Sequence, residues 1–384
     1  MSARRICYFG TYRKEYARNQ ILIEGLRRSG YEVIECHAPL WGGEVDRVQA
    51  ASGGWMKPAF LGRMLLAYWQ LLKRYRQTGA CDVLVVGYPG QIDIYLAWLL
   101  ARLRSKPLIW DVLNSLYLIT LERGIRQRSA FTVEMIRRVE RQACRLADRM
   151  LLDTPQFVNW FQTTHAADPK RFRLVQIGAD ERTFQPLDNP IPEDPHGYFR
   201  VSYYGSYIPN HGVATIIEAA RLLQSSAAGE DKLIRIKMVG RGPEQPKAQT
   251  LAQSYGLTNV TFIDWLEREA LAEQIATCDL VLGAFGTTQQ ILLTNNNKIY
   301  EGFAMRKAVL SARTPALPES LEHGVHVYLC ERGDPASLAQ GIRILQANPE
   351  LCKRLAQQGH QLFNECFTVP QLGKQLAAHI EELL

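Results

Sequence analysis

The sequence predicts an α/β protein with two doubly wound parallel sheets. Short apolar runs alternate with amphipathic segments through the first half, from RRICYFG to FRLVQIGAD. A proline-rich break, LDNPIPEDPHGY, follows, and the same alternation restarts at FRVSYYGSY. Strands that alternate with helices favour a parallel sheet covered by helices on both faces. Two such series separated by a break indicate two domains and a linker.

Each half contains six candidate strands. In the first half they are RRICYFG, YEVIECHA, CDVLVVGYPG, KPLIWDV, MLLDT and FRLVQIGAD. Helices are predicted between them, such as NQILIEGLRRSG, which ends at a glycine, and DIYLAWLLARLRS. In the second half the candidate strands are FRVSYYGSY, LIRIKMVGRG, VTFIDW, DLVLGAF, AVLSA and VHVYLC. The remaining residues, from PASLAQ onward, are predicted to be helical.

Composition favours a soluble globular protein whose first half is basic. The chain is 47% apolar and 22% charged, and its most apolar stretch is interrupted by Asp93 and Arg102, so we expect no transmembrane helix. Residues 1–190 carry 28 Lys and Arg against 18 Asp and Glu, a net of +10 within a total of +7. Such a surface indicates either an anionic partner or ordinary solvation.

Cysteine usage and the first residues indicate where the protein works. Eight cysteines occur without a CxxC pair or a Cys/His cluster, which predicts a reduced cytoplasmic protein without a structural metal. The opening MSARRICYFGTY reads as a strand rather than a signal peptide.

Several common motifs are missing from the sequence. It has no GxxxxGK[ST] phosphate loop, no GxGxxG after the first strand and no GxSxG nucleophile elbow. It also lacks a helix-turn-helix pattern or an RNP-like aromatic stretch, which argues against nucleic-acid binding. These absences disfavour P-loop NTPases, dinucleotide oxidoreductases and serine hydrolases.

The stretch NNNKIYEGFAMRKAVLSA is a polar run, a short amphipathic helix and a strand. A helix N-terminus attracts anions, and Lys298 adds a full positive charge there. Glu301 lies in the same helix. Two interpretations remain open: an anion-binding site with a separate role for Glu301, or a helix capped by Asn297 whose dipole Glu301 complements.

This stretch belongs to an ordered set in the second half. YYGSYIPNHGVATIIEAA, KMVGRGPE and CDLVLGAFGTT precede it. Together they resemble the donor-binding domain of the retaining nucleotide-sugar glycosyltransferases of the GT-B fold (glycosyltransferase family 4), over about residues 200–383. The first half is similar only in its strand–helix rhythm.

The resemblance implies a domain organisation. It implies an acceptor-binding Rossmann-like domain at 1–187 and a donor-binding one at 188–368, facing each other across a cleft. A C-terminal helix, 369–384, is then expected to cross back and pack on the first domain.

The resemblance also implies a donor site. Lys298 and His211 would meet the diphosphate and are the candidate catalytic groups on this side, while Glu301 would accept hydrogen bonds from ribose hydroxyls. The full expected donor set is Gly205, Ser206, Gly240, Arg241, Thr294, Asn295, Asn297, Lys298, Ile299 and Glu301.

Three positions depart from the family pattern. Leu293 replaces the first of two expected acids, which would contact the sugar. Ser206 and His211 stand where basic residues are common. The sugar would then be held differently, through Thr294, Asn295 or backbone N–H groups.

The acceptor would bind in the first half. The end of the first strand is expected to approach the ligands, and basic residues follow it. Asp111, at the end of KPLIWD, is the candidate catalytic acid that would bind sugar or acceptor hydroxyls, with a helix cap as the alternative. The other expected residues are Gly10, Thr11, Tyr12, Arg18 and Asp153.

The implied activity is transfer of a sugar from a nucleoside-diphosphate sugar to an acceptor hydroxyl, with retained anomeric configuration. The acceptor would be a glycan, a lipid-linked or envelope glycan, or a small molecule. We expect no metal and no cofactor beyond the sugar nucleotide. The alternatives are a non-catalytic sugar-nucleotide-binding protein and a nucleoside-diphosphate-sugar epimerase.

The helix predicted from Trp55 to Gln77 combines aromatic and basic residues. Such a helix suits the anionic inner face of a membrane, which would make the protein peripheral. An ordinary core helix with a basic outer face explains the pattern equally well.

Overall fold

The computed structural model describes residues 3–40, 58–187, 197–225 and 233–384. The chain forms two compact units, Met1–Gln176 with Val369–Leu384, and Ile177–Thr368. The first unit therefore gives way to the second after residue 176, whereas the expected boundary is residue 187. Most of the predicted linker, 188–196, and the start of the predicted membrane helix, 55–57, lie outside the described residues.

The first unit contains a six-stranded sheet of order β2-β1-β3-β4-β5-β6, and every adjacent pair is parallel. Its strands are β1 (Arg5–Gly10), β2 (Glu32–His37), β3 (Val83–Val86), β4 (Leu108–Asp111), β5 (Arg149–Leu152) and β6 (Phe172–Leu174). The central strands β3 and β4 are buried along their whole length, as expected for a parallel sheet covered on both faces.

The helices of this part follow the strands in alternation. They are α1 (Ala17–Arg28), α2 (Pro58–Gln77), α3 (Asp93–Leu103), α4 (Leu116–Glu122), α5 (Ile125–Arg128), α6 (Ala130–Ala143) and α7 (Pro155–His165). From β1 to β2 the chain moves toward one edge of the sheet, whereas each later connection moves toward the other edge. Because such crossovers are right-handed, α1 lies on one face of the sheet, and α2 and α3 lie on the other.

The second unit repeats this design with the order β12-β11-β10-β7-β8-β9. Its strands are β7 (Phe199–Tyr204), β8 (Ile234–Val239), β9 (Val260–Ile263), β10 (Leu280–Leu282), β11 (Ala308–Ala312) and β12 (Tyr328–Cys330). Its helices are α8 (Val213–Ser225), α9 (Gln245–Ser254), α10 (Arg268–Ala276), α11 (Asn297–Ala304), α12 (Pro335–Ala347) and α13 (Pro349–Cys366). The chain direction across the sheet reverses between β7 and β10, where parallel sheets bind ligands at the carboxyl ends of their strands.

The last helix, α14 (Val369–Glu381), belongs to the first unit. It crosses α1 where Gly25 and Gly373 face each other, and a Cβ on Gly373 would overlap the carbonyl oxygen of Gly25. Leu376 and Ile380 join the core of the first sheet. The two glycines therefore let this helix pack at backbone distance.

Candidate functional site

Two glycines bring the carboxyl ends of β7 and β8 together. Gly205 and Gly240 directly follow these strands with φ of +127° and +126°, a region that favours glycine. A Cβ on Gly240 would overlap the carbonyl oxygen of Gly205. Since β7 is also next to the point where the chain reverses, these glycines shape the edge where a ligand would bind.

One buried ammonium lies at this edge. The Nζ of Lys298, in the first turn of α11, is 3.4 Å from both ring nitrogens of His211. It also lies 5.3 Å from the centre of the Tyr203 ring, whose hydroxyl is 2.9 Å from Nδ1 of His211. On another side, a Cβ on Gly205 would be 3.2 Å from Cε of Lys298. The stretch from Tyr203 to His211 thus encloses this ammonium on several sides.

Burial controls the charges in this cluster. It lowers the pKa of Lys298 to about 8, although Glu301 opposes that shift. Burial, and then the neighbouring ammonium, hold the pKa of His211 well below its ordinary value. At pH 7 the imidazole is therefore neutral and the lysine is mostly protonated. This arrangement favours an anionic ligand, because an anion would compensate the solvation that the ammonium has lost.

The N-terminus of α11 adds to this positive potential. The helix begins at Asn297, and Asn296 is the N-cap residue, whose side chain makes no capping hydrogen bond. The interpretation in which Asn297 caps the helix is therefore wrong. The N–H groups of a first helical turn have no partner within the helix and attract anions. Thr294 and Asn295 lead into this turn. The side-chain nitrogen Nδ2 of Asn295 donates to the carbonyl oxygen of Ala316 at 2.8 Å.

Glu301 lies on the same helix, three residues after Lys298. Burial raises the pKa of Glu301, while Lys298, the Tyr204 hydroxyl and Arg268 oppose this shift. The Tyr204 hydroxyl also donates to the carbonyl oxygen of Lys298 at 3.3 Å. A half-buried carboxylate fixed in this way can accept hydrogen bonds from the hydroxyls of a ligand.

The position expected to hold the sugar-contacting acid is apolar and packed. Leu293 is only 7% exposed and follows a short 3₁₀ turn, Gln290–Leu292. The side chain of a leucine has no hydrogen-bond acceptor in any conformation. A sugar at this site would depend on neighbouring polar groups.

The other expected donor residues differ in how they are placed. Ile299 is fully buried and packs inward rather than lining the edge. Arg241 is exposed and forms an ion pair with Asp264, so its charge is already compensated within the protein. The carbonyl oxygen of Ser206 accepts from the Tyr203 hydroxyl at 3.3 Å, which helps to hold the turn after β7.

In the first unit, Asp111 and Arg18 meet in a buried ion pair. Asp111 ends β4 and is 0% exposed, and its Oδ1 is 2.9 Å from Nη2 of Arg18. Arg18 Nη1 also donates to the carbonyl oxygens of Val175 and Gln176, at 2.8 and 3.0 Å. This geometry favours a structural role for both residues over the expected contacts with an acceptor. Asp153, which follows β5, is also buried.

The loop after β1 is held by an aspartate that sequence reasoning did not select. The Thr11 backbone N–H donates to Oδ2 of Asp93 at 2.6 Å, and its hydroxyl donates to the same oxygen at 3.0 Å. Burial raises the pKa of Asp93 to about 6, against the opposing effect of these bonds. A Cβ on Gly10 would lie 2.6 Å from the same oxygen. In the sequence, the only indication of this role is that Asp93 stands at the start of an apolar helix.

Tyr12, the next residue of this loop, also points into the protein. It is 1% exposed, and its hydroxyl donates to Oε2 of Glu35 at 3.1 Å. Tyr203 and Tyr204 were likewise not selected from the sequence, because tyrosines at the end of a strand read as ordinary core residues.

Residues 198–348 match the family model of the Glycosyl transferases group 1. This region is therefore similar to the group 1 glycosyltransferases. A D-inositol 3-phosphate glycosyltransferase of Geodermatophilus obscurus is 26% identical over 260 residues, 64% of this chain and 55% of that protein. The chain spans about half the length of the curated relatives it matches. The family and these relatives are glycosyltransferases by name.

Solved structures show the same fold along the whole chain. Sucrose-phosphate synthase of Thermosynechococcus elongatus has a TM-score of 0.75 at 16% identity, covering 99% of both chains. HepE of Anabaena, solved in complex with UDP, has a TM-score of 0.67 at 17% identity, covering 100% of both chains. The fold of the chain is thus GT-B, with two Rossmann-like units.

No helix within the described residues combines the length and apolar composition needed to cross a bilayer. In the same part of the chain, His, Cys, Asp and Glu side chains do not gather in a group of three or more that could hold a metal ion.

Proposed function

We propose that the protein is a retaining glycosyltransferase that uses a nucleoside-diphosphate sugar. The observation that carries this proposal is the buried Lys298 ammonium beside His211 at the N-terminus of α11, with Glu301 on the same helix. The family match, which includes these residues, supports the transfer of a sugar. The second unit would bind the donor, and the first would bind the acceptor.

The first candidate donor is a uridine diphosphate sugar. HepE, which shares the fold, is known in complex with UDP and with UDP-glucose. In this chain the diphosphate would contact Lys298 and the first-turn N–H groups of α11. The ribose hydroxyls would donate to Glu301, whose carboxylate is acceptor-only when ionised.

The proposed reaction needs charge stabilisation more than an acid–base pair. The bond between the anomeric carbon and the diphosphate oxygen breaks while the acceptor oxygen bonds to the same face of the sugar. The acceptor proton passes to the leaving diphosphate. Lys298 and the helix N-terminus would stabilise the negative charge as it develops, so we expect no requirement for a metal or a further cofactor.

The first unit would bind the acceptor, the molecule whose hydroxyl receives the sugar. We propose a hydroxyl of a glycan, of a lipid-linked or envelope glycan, or of a small molecule. The loop after β1, which Asp93 holds in place, lies at the carboxyl edge of the first sheet where such a ligand would bind.

A non-catalytic sugar-nucleotide-binding protein is a second candidate, and Leu293 is the observation that favours it. Without an acid at this position, the sugar would lose a polar contact that could orient it for reaction. An epimerase on the same fold would also bind the sugar nucleotide, but it would alter the sugar instead of transferring it.

Product analysis separates these functions. The full chain is incubated with a panel of UDP- and other nucleoside-diphosphate sugars, with and without candidate acceptors, and free nucleoside diphosphate is measured. A transferase releases it, and NMR of the product shows the same anomeric configuration as the donor. An epimerised sugar nucleotide would identify the epimerase instead. Tight donor binding with no release under any condition would identify a binding protein.

A further inference from the structure

The outward face of α2 is apolar. Leu65, Leu66 and Trp69 are 68%, 56% and 60% exposed, and Leu61 and Leu72 on the same helix are also exposed. The opposite side of the helix, which includes Ala67 and Leu71, is buried. A core helix with a basic outer face would expose its charges and bury these leucines. The four basic residues of α2 are exposed as well, so its outer side combines apolar and basic side chains.

The next helix along the same face of the sheet repeats this feature. Tyr95, Leu99 and Leu103 of α3 are 36%, 49% and 73% exposed, and they recur every four residues, so they form one stripe. Ile94, Ala97 and Ala101 of the same helix are buried. An apolar stripe opposite the buried side is unusual for a helix of a soluble protein.

The two stripes lie on neighbouring helices. The Arg104 guanidinium, directly after α3, stacks 4.2 Å from the centre of the Tyr75 ring of α2. It also donates to the carbonyl oxygen of Gly79 at 2.8 Å. We call the exposed apolar residues of these helices the α2/α3 surface: Leu61, Leu65, Leu66, Trp69, Leu72, Tyr95, Leu99 and Leu103.

Basic residues surround the α2/α3 surface. The sequence of α2 contains four of them and no acidic residue. The Nζ of Lys73 lies 5.7 Å from the centre of the Trp69 ring, so charge and aromatic surface are presented together. On α3 the acid Asp93 is buried, and Arg102 and Lys106 lie on either side of Leu103 in the sequence, at the end of the apolar stripe. The outer side of both helices is thus apolar and cationic.

We propose that the α2/α3 surface docks on an anionic lipid bilayer. Exposed Leu and Trp side chains would enter the interfacial region, and the Lys and Arg side chains would meet anionic headgroups. A second copy of the chain would bring two cationic faces together, which is electrostatically unfavourable. The inference does not depend on the proposed transferase activity, since it concerns a different surface.

The position of this surface would bring a membrane close to the acceptor loop. The first turn of α3 holds the loop after β1 through the bonds between Asp93 and Thr11. α3 begins at the carboxyl edge of the sheet. α2 passes the same edge, since the Cys36 thiol near the end of β2 donates to the carbonyl oxygen of Leu71 at 3.6 Å. A bilayer on the α2/α3 surface would therefore lie beside the part of the first unit where we propose that the acceptor binds.

Vesicle co-sedimentation tests the proposal. The full chain is mixed with phosphatidylcholine vesicles, with or without phosphatidylglycerol, at low and high salt. We expect binding to the anionic vesicles that weakens with salt. Leu65→Gln/Trp69→Gln should reduce the partition coefficient by about tenfold or more. Lys73→Gln/Arg76→Gln should reduce it by about thirtyfold at low salt, since each basic residue near the surface contributes roughly a fivefold step.

A matched control separates this surface from general apolar exposure. Leu233 and Ile344 of the second unit are 42% and 36% exposed, and Leu233→Gln/Ile344→Gln should bind vesicles like the unmodified protein. Equal binding by all variants, or no binding to anionic vesicles at low salt, would overturn the proposal. Light scattering without lipid provides a second readout: a dimer that Leu65→Gln/Trp69→Gln converts to monomer would mean that a second copy occupies the surface.

Discussion

Replacing Lys298 by methionine removes the buried ammonium and keeps most of the apolar length of the side chain. If this ammonium neutralises the donor diphosphate, the loss should be of order 2–4 kcal/mol, as for other preorganised charge stabilisers. That corresponds to a decrease of about 30- to 1000-fold in donor affinity or turnover. Because negative charge increases on the leaving diphosphate, turnover should fall as well as affinity.

The pH dependence follows from the pKa of Lys298, which is lowered to about 8. Only the protonated form would bind the diphosphate well, so donor affinity is nearly full at pH 7. At pH 9 about one lysine in eleven is protonated, and affinity should be about tenfold weaker. Lys298→Arg, which stays charged, should flatten this profile, and Lys298→Met should bind weakly at every pH.

The free protein should show the opposite trend in stability. The pKa of Lys298 is about 8 when folded against the ordinary 10.5, so above pH 8 the unfolded chain binds more protons than the folded one. Stability should therefore rise between pH 8 and 10.5 on account of this group, by roughly 3 kcal/mol at most. Lys298→Met should lack this contribution and should remain folded at pH 7.

Isothermal titration with UDP-glucose at pH 7, 8 and 9 and constant ionic strength measures these effects. Lys247→Met, at an exposed lysine of the same unit, is the control and should bind like the unmodified protein at each pH. Unchanged donor affinity in Lys298→Met, or an affinity of the unmodified protein that is constant from pH 7 to 9, would refute this reasoning about the site.

Three further substitutions test other parts of the structure. Glu301→Gln should weaken donor binding by about tenfold and lower the turnover of the bound complex less, because a ribose contact is the same in ground and transition states. A normal affinity for nucleoside diphosphate would mean that Glu301 only complements the helix dipole. Asp111→Asn should lower stability in urea denaturation by about 3–5 kcal/mol, because a buried guanidinium loses its charged partner; lost turnover at unchanged stability would instead support a catalytic role. Gly240→Ala should lower the melting temperature more than Gly256→Ala, since both have positive φ but a Cβ at Gly256 meets open space.

Local patterns in the sequence were enough for the architecture and for part of the site. The alternation of apolar runs and amphipathic segments predicted the parallel sheets, because these periods belong to single strands and helices. Glycines at strand ends marked Gly205 and Gly240, and the run before α11 marked Lys298 and Glu301 together. All of these signals lie within a few consecutive residues, so a single chain displays them without knowledge of its fold.

Contacts between distant segments were decided only by the tertiary structure. Arg18 and Asp111 are 93 residues apart, and Thr11 and Asp93 are 82 apart; each pair meets because strand order brings particular strand ends together. The rotation of α2 against the sheet decided that large apolar side chains are exposed on its outward side beside the basic ones, which composition left open. Strand order and helix rotation are set by packing over the whole core, and this is why the sequence alone determined the elements and not these partners.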